Sequence, residues 1–323
     1  MAAFLARRIA QGLIVVALVA TIVFFLIHSA PGDSFSAWMD DARISEAVRE
    51  RWRHLYGLDR PLVEQYFRYV TSVLRGDFGF SISKQRPVRD ELFDALPNTL
   101  LLMITGLVGG FSLGIGTALA QVRNLGRRID RILGGLSLLF FSVPDFWLAL
   151  LILTGLTYWL HLPIGGAYSA VEYNYMSPIE QVVDRLRHLV LPALTLTLLY
   201  FPIIARHQKA ALLDVLPSEF ITTARAKGVA ERVVINRHAL RNALLPIITL
   251  IGVAFPALLT GAVFVEKVFG WPGMGLLIVN SIRANDYPLL TGSVIFGSAF
   301  VVAGSILADV LYRQFDPRLR DEL

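Results

Sequence analysis

Cysteine is absent from the 323-residue sequence. That excludes disulfides, thiolate zinc sites, iron–sulfur clusters and cysteine nucleophiles. No G-x-x-x-x-G-K-[ST] run occurs, so no phosphate-cradling loop is recognisable. H-E-x-x-H is missing, and the six histidines are scattered without metal-ligand spacing. No G-x-S-x-G nucleophile elbow is present. Charged residues make up only 17% of the chain, and Asp145 and the interfacial Asp309 are the carboxylates in or near its apolar runs. This leaves no visible catalytic pair and little for an ion relay. The inverted repeat of spans expected of an ion-coupled carrier is not visible either. If the chain takes part in transport that costs energy, the energy comes from an ion gradient or from a partner that hydrolyses nucleotide.

Apolar residues are in excess, at 55% of the total, with a mean hydropathy of +0.58. That is the composition of a polytopic membrane protein. A net charge of +5 and a pI near 9.6 raise the question of nucleic acid. The basic residues, however, sit mostly in short loops between apolar runs and not on one soluble face, so no nucleic-acid partner is expected. Six stretches are long enough to span a bilayer: Ile9–Ala30, Leu96–Val122, Ile132–Leu160, Leu189–Ala205, Ala243–Val265 and Leu289–Ala308. The first is longer than a usual signal sequence, and Ala30-Pro31-Gly32 is a poor cleavage context, so it is expected to be retained.

Basic residues orient the spans. Arg7 and Arg8 precede the first, and Arg123, Arg127, Arg128 and Arg131 join the second to the third. Arg206, Lys209, Arg225, Lys227, Arg232, Arg237 and Arg241 follow the fourth, and Arg313, Arg318 and Arg320 follow the last. The two shorter opposite loops hold only Arg185, Arg187, Lys267 and Arg283. By the positive-inside rule both termini are cytoplasmic. The expected fold is therefore all-α: a polytopic membrane protein with six transmembrane helices and a helical external loop after the first. Its parts are an N-terminal span (1–30), the external loop (31–95), a five-helix core (96–312) containing a cytoplasmic loop (206–242), and a cytoplasmic tail (313–323).

In the external loop two helices are expected, Ile44–Tyr56 and Pro61–Arg75. Leu62, Tyr66, Tyr69, Val70, Val73 and Leu74 give the second one apolar face, and Gly76-Asp77-Phe78-Gly79 ends it. This loop is either a cap on the membrane surface or a docking surface for an external partner. In the second span Gly106, Gly110 and Gly114 repeat a small-xxx-small spacing that lets helix backbones approach closely. They mark packing within the chain or a seam with a second subunit. Asp145 follows Pro144 in the third span, about 20 Å in by the ~1.5 Å rise per residue. It either lines a solute pathway or satisfies N–H groups freed at a proline kink. The segment Glu266 to Gly275 precedes the apolar Leu276–Ile282, which reads as a re-entrant helix or as a plain hairpin between spans.

The most polar stretch, Ala205 to Asn242, lies between two charge-free apolar runs. Pro217 suits a first helical position, Glu219 the positive first turn, Arg225 and Lys227 the last turn, and Gly228 a left-handed stop. A short helix lying beside the membrane is expected here, either as the grip for another protein or as a solvated amphipathic segment.

These residues resemble the integral-membrane permease subunits of bacterial ABC importers, in the oligopeptide and dipeptide branch. The resemblance covers essentially the whole chain. It is carried by Glu219-Phe220-Ile221 leading into Thr223-Ala224-Arg225-Ala226-Lys227-Gly228, and by His238 with Leu240-Arg241-Asn242-Ala243-Leu244-Leu245-Pro246. Tyr56-Gly57-Leu58-Asp59-Arg60-Pro61, Gln65-Tyr66, Gly76-Asp77-Phe78-Gly79, Ser142-Val143-Pro144-Asp145-Phe146-Trp147, Glu266-Lys267-Val268-Phe269, Trp271-Pro272-Gly273 and Asp316-Pro317-Arg318 add to it. The wider superfamily begins its cytoplasmic loop Glu-Ala-Ala; here Thr222-Thr223-Ala224 stand in those places, a departure common in the peptide branch.

The resemblance implies a non-catalytic subunit of the bacterial inner membrane. It would share a pathway with a second homologous permease and receive solute from an external substrate-binding protein. Two ATPase subunits, holding the ATP and Mg²⁺, would drive it. Glu219, Phe220, Thr222, Thr223, Ala224, Arg225, Lys227 and Gly228 would form the coupling helix, with Phe220 and Ala224 filling a pocket on one ATPase. Peptides are the first substrate class implied; nickel chelates, haem, glutathione and oligosaccharides are branch alternatives. A self-contained channel or ion-coupled carrier is the contrasting reading.

Overall fold

The computed structural model describes residues 2–29, 59–244 and 262–315, with 50, 246, 247 and 250 besides. The expected helix Ile44–Tyr56 apart from residue 50, most of the fifth span Ala243–Val265, and the last residues of the tail lie outside them. The described chain is almost entirely helical. In order it runs α1 (Ala2–Ser29), α2 (Leu62–Leu74), a hairpin of β1 (Phe80–Ser81) and β2 (Arg86–Pro87), α3 (Val88–Arg123), α4 (Arg128–Ser142) and α5 (Asp145–Leu160). It continues through α6 (Pro178–Val215), α7 (Glu219–Ala226), α8 (Glu231–Val233), a π-helical segment (Val234–Ala239), α9 (Leu240–Ala243), α10 (Val263–Val268), α11 (Met274–Arg283) and α12 (Tyr287–Phe315). Among the described residues, four helices are long and apolar enough to cross a membrane, or five if α4 and α5 count as one bent span.

The helices outrun their apolar stretches. α3 begins at Val88 where hydropathy alone placed the span at Leu96, and Val88, Leu92, Ala95, Leu96 and Thr99 are buried along one side of its first turns. Arg89, Asp90 and Asp94 occupy the exposed side. Polar residues on an outer face do not end a helix, but they do end a hydropathy run. α6 likewise starts well before Leu189, at a capping box in which Ser177 and Glu180 satisfy each other's backbone N–H groups, with Pro178 at the first helical position.

The third stretch is not one kinked helix. α4 and α5 meet at 107°. Val143 is extended, at φ −81° and ψ 129°, because the ring of Pro144 disfavours the helical conformation in the residue before it. Asp145 therefore opens α5, exposed, and a depth obtained by counting rises along one axis does not apply to it.

α3 and α6 form the centre of the molecule, and glycine sets their separation. A Cβ on Gly106 would stand 2.4 Å from Leu196 Cβ, one on Gly110 2.7 Å from Tyr200 Cβ, and one on Gly114 2.8 Å from Ile204 Cβ. The four-residue spacing is thus matched by a four-residue ridge on α6, all within one chain. α1 lies against α12: Gly12 faces Val302, and Arg8 pairs with Asp309 at 3.0 Å. The interfacial carboxylate noted in the sequence is accordingly paired with the second arginine of the N-terminal basic pair.

α2 docks on α1 through aromatic rings. Phe24 lies 5.3 Å from both Tyr66 and Tyr69, and Tyr66 Oη is 2.8 Å from Thr21 Oγ1. Of its expected apolar face, Tyr66, Tyr69, Val70 and Val73 are half-buried, while Leu62 and Leu74 at its two ends are exposed. The external loop also contains the small hairpin, which a purely helical expectation missed. It is held by Asp286, whose buried carboxylate accepts from Ser81 Oγ (2.6 Å), Ser83 N (2.9 Å) and Ser83 Oγ (2.7 Å).

Near this end, α10 and α11 fold back on the top of α3. Glu266 is fully buried and accepts from Thr99 Oγ1 (2.9 Å) and Leu276 N (2.9 Å); Thr99 Oγ1 in turn accepts from Met274 N (2.7 Å). These bonds satisfy first-turn N–H groups of α11. A Cβ at Gly273 would sit 2.5 Å from the Glu266 carboxylate, so the glycines of this segment make room for the acid. Burial pushes the Glu266 carboxyl above its ordinary range. Trp271 fills the core beneath, its Nε1 donating to Asn98 O at 2.9 Å.

Candidate partner-docking site

The polar island folds as a compact ledge at the end of α6. Leu216 closes α6, Pro217 lies in the following turn, and Ser218 is the N-cap position of α7. Pro217 is therefore one residue outside the helix cap and does not occupy the first helical position expected for it. Ser218 Oγ turns back to Val215 O at 2.6 Å, tying the turn to the end of α6.

α7 has two faces. Ile221 and Ala224, three residues apart, point inward and are buried against Ala118 and Val122 of α3, Ala211 and Leu212 of α6, and Val234, Ile235 and Ala239 of the π-helical segment. Glu219, Phe220, Thr222, Thr223, Arg225, Lys227 and Gly228 are exposed. The expectation that Phe220 and Ala224 share one outward apolar side does not fit this geometry. Ala224 is a helical neighbour of both Phe220 and Ile221, but it is buried with Ile221, while Phe220 lies at the edge of that buried stripe and is exposed. Phe220, at 45% exposure, is the large apolar group left on the surface of α7.

The end of α7 is a Schellman stop. Val229 N donates to Ala224 O (3.2 Å), Gly228 N donates to Arg225 O (2.9 Å), and Gly228 takes φ +75°. Val229 then packs on the same small core as Ala224. Beyond the stop, Arg225 reaches Glu231 with two bonds, Nε at 3.0 Å and Nη2 at 2.6 Å. That fork holds the Glu231 carboxyl below its ordinary range and raises the Arg225 guanidinium. Arg225 is thereby committed within the chain, while Lys227 makes no ion pair among the described residues.

The ledge is continuous with the bundle. Gln208 Nε2 donates to Ala243 O at 3.1 Å, and Arg123 Nη2 donates to Asn236 Oδ1. Lys209 Nζ holds Asp130 Oδ1 at 2.6 Å, fastening the first turn of α4 to α6. α7 is thus joined to α3 and α6 through packed side chains. Sequence reasoning missed Ile221 as the anchor and Glu231 as the partner of Arg225. For the first no sequence signal decided, since Phe220 and Ile221 both stand at helical spacing from Ala224; the second depends on the turn at Gly228. Asp145 is remote from this ledge in sequence and sits at the α4–α5 break within electrostatic range of Tyr200. Gly106, Gly110 and Gly114 line the α3–α6 contact.

Comparison with known proteins is concordant along the whole chain. Residues 106–321 match the family described as "Binding-protein-dependent transport system inner membrane component", and residues 1–103 match its N-terminal counterpart. The chain is 35% identical over 322 residues to the oligopeptide transport system permease protein AppB of Bacillus subtilis, covering 99% of each. It is 36% identical over 329 residues to the oligopeptide transport system permease protein OppB of Mycobacterium bovis, again covering 99% of each. With the glutathione transport system permease protein GsiC of Escherichia coli K12 it shares 34% over 308 residues, 94% of each.

Proposed function

The chain belongs to the family of binding-protein-dependent transport system inner membrane components, and we propose from that premise that it is the peptide-translocating permease of its importer. As a member it is a multi-pass inner-membrane permease subunit and is not itself an enzyme. The proposal adds the substrate, the partners and the point of coupling. The substrate class is short peptides: two of the relatives above are named for oligopeptides and one for glutathione, itself a tripeptide. A second homologous permease completes the pathway, and an external substrate-binding protein delivers the solute. Two ATPase subunits, which carry the ATP and Mg²⁺, supply the energy. The chain has six spans with both termini and the ledge cytoplasmic.

One observation carries the coupling assignment. α7 is seated on its own core by Ile221 and Ala224 and leaves Phe220 on its outer face. A helix anchored along one stripe, with an exposed aromatic group at the edge of that stripe, can transmit force between a partner groove and the bundle. Phe220 enters the partner, Thr222, Thr223 and Lys227 surround it, and the Arg225–Glu231 fork keeps the end of α7 from fraying.

Affinity purification of the tagged chain from its native membrane tests the assignment. Co-purification of an ATPase and a second permease, with ATPase activity, is the expected result, and Phe220→Asp should release the ATPase while leaving the second permease bound. A chain recovered alone in mild detergent, without ATPase activity, would overturn the proposal.

A further inference from the structure

Between α4 and α6, at the end of the bundle that carries the basic loops, lies a cavity of about 730 Å³. Its wall changes character along the helix axes. Leu138 and Phe141 of α4 and Ile203 of α6 form the apolar part, and all three are exposed. Arg206 and His207 form the other part, and neither makes an ion pair or hydrogen bond with the described residues. Lys209 also lines the cavity, but Asp130 already engages it. Among the described residues, no carboxylate lines the cavity. Ser137, on the α4 side, has a buried Oγ with no hydrogen-bond partner.

The position of this change matters. The charge-free run of α6 ends at Ala205, so Arg206 is its first charge, and α4 turns apolar just after Arg131. The cavity therefore straddles the boundary between hydrocarbon and headgroup depth, at the end that the positive-inside rule assigns to the cytoplasm. A ligand that fits must be anionic at one end and apolar at the other. A peptide solute would bring an ammonium group as well as a carboxylate, and the described wall offers no acid to receive it. A phosphodiester has the required charge and four oxygens for Arg206, His207 and the Ser137 hydroxyl.

We infer that this cavity is a binding site for an anionic phospholipid, its phosphate on Arg206 and His207 and its first acyl segment against Leu138, Phe141 and Ile203. The lipid wedges between α4 and α6 and neutralises Arg206, which has no acidic partner among the described residues. The inference is independent of the role given to α7.

Native mass spectrometry of the assembled transporter in mild detergent, titrated with phosphatidylglycerol and with phosphatidylcholine of the same acyl chains, tests it. Phosphatidylglycerol should be retained preferentially. The double variant Arg206→Gln/His207→Gln should weaken that retention by at least about fivefold, the factor expected for losing one cation at an anionic surface. Arg206→Lys keeps the charge and should retain the lipid, and Arg283→Gln, at the opposite end, should change nothing. Equal retention of the two lipids, or an unchanged double variant, would overturn the inference. Because the chain lacks cysteine, Ile203→Cys can carry a single photocrosslinker. Transfer to phospholipid supports the site. Transfer to the second permease, or displacement of phosphatidylglycerol by an oligopeptide, assigns the cavity to a subunit seam or to the solute pathway and overturns it.

Discussion

Gly110 of α3 faces Tyr200 of α6 so closely that a Cβ on the glycine would stand 2.7 Å from the Tyr200 Cβ. The backbone of α6 is part of the same contact, since Phe201 N lies 3.5 Å from that position. A side chain at Gly110 must therefore push the two helices apart. Gly110→Val should cost about 1–3 kcal/mol or more, the range for overpacking a tight core. Thermal unfolding of the purified chain should show the loss. Gly116→Ala, where the added atom meets open space, should be near neutral and is the matched control.

Ile221 and Phe220 are neighbours in sequence with opposite surroundings, so their truncations should separate stability from coupling. Ile221→Ala removes a fully buried side chain and should destabilise by about 2–5 kcal/mol, lowering the folded yield. Phe220→Ala should leave yield and unfolding temperature unchanged while lowering peptide uptake and ATPase co-purification. Equal loss of yield in both variants would remove the distinction between an inner and an outer face of α7.

Gly228 holds the Schellman stop with φ +75° in open space. Gly228→Ala should cost about 1–2 kcal/mol from the left-handed conformation alone. The change should loosen the end of α7, and proteolysis of the ledge should quicken before global unfolding does. Gly228→Asn, which tolerates that conformation better, should recover part of the loss.

Glu266 is an acid whose folded-state ionisation is moved upward by burial. The folded protein then binds more protons than the unfolded chain between the ordinary carboxylate range and the raised value. The stabilisation is fully present below the unfolded value and is lost as pH rises through the folded one. Unfolding temperature should therefore decline across that window in the natural protein and less steeply in Glu266→Gln. An identical pH profile in both would remove Glu266 from this role.

Asp145 opens α5 at the helix break and is exposed there. If it lines the solute pathway, Asp145→Asn should reduce uptake at normal membrane levels of the chain. A parallel fall in uptake and in amount would instead make it a cap for the first turn of α5.

The apolar runs, the basic loops and the glycine spacing were legible because each is a local property: hydropathy, charge and backbone approach are written residue by residue. So was the stop at Gly228, where a left-handed position calls for a residue without a Cβ. The lengths of α3 and α6 were not, because a helix continues through polar residues once one face is buried, as Val88, Leu92 and Ala95 are. The bend after Ser142 was written as a proline, but its size of 107° was not. Which face of α7 turns inward also lay beyond the sequence, since Phe220, Ile221 and Ala224 are all apolar and only the core of Ala118, Leu212 and Val234 selects among them. Hydropathy, charge and composition were enough for a polytopic, cysteine-free membrane protein with a basic helical ledge. Tertiary structure alone decided which side chains hold that ledge and which are left to a partner, because burial is a property of neighbours brought together from distant parts of the chain.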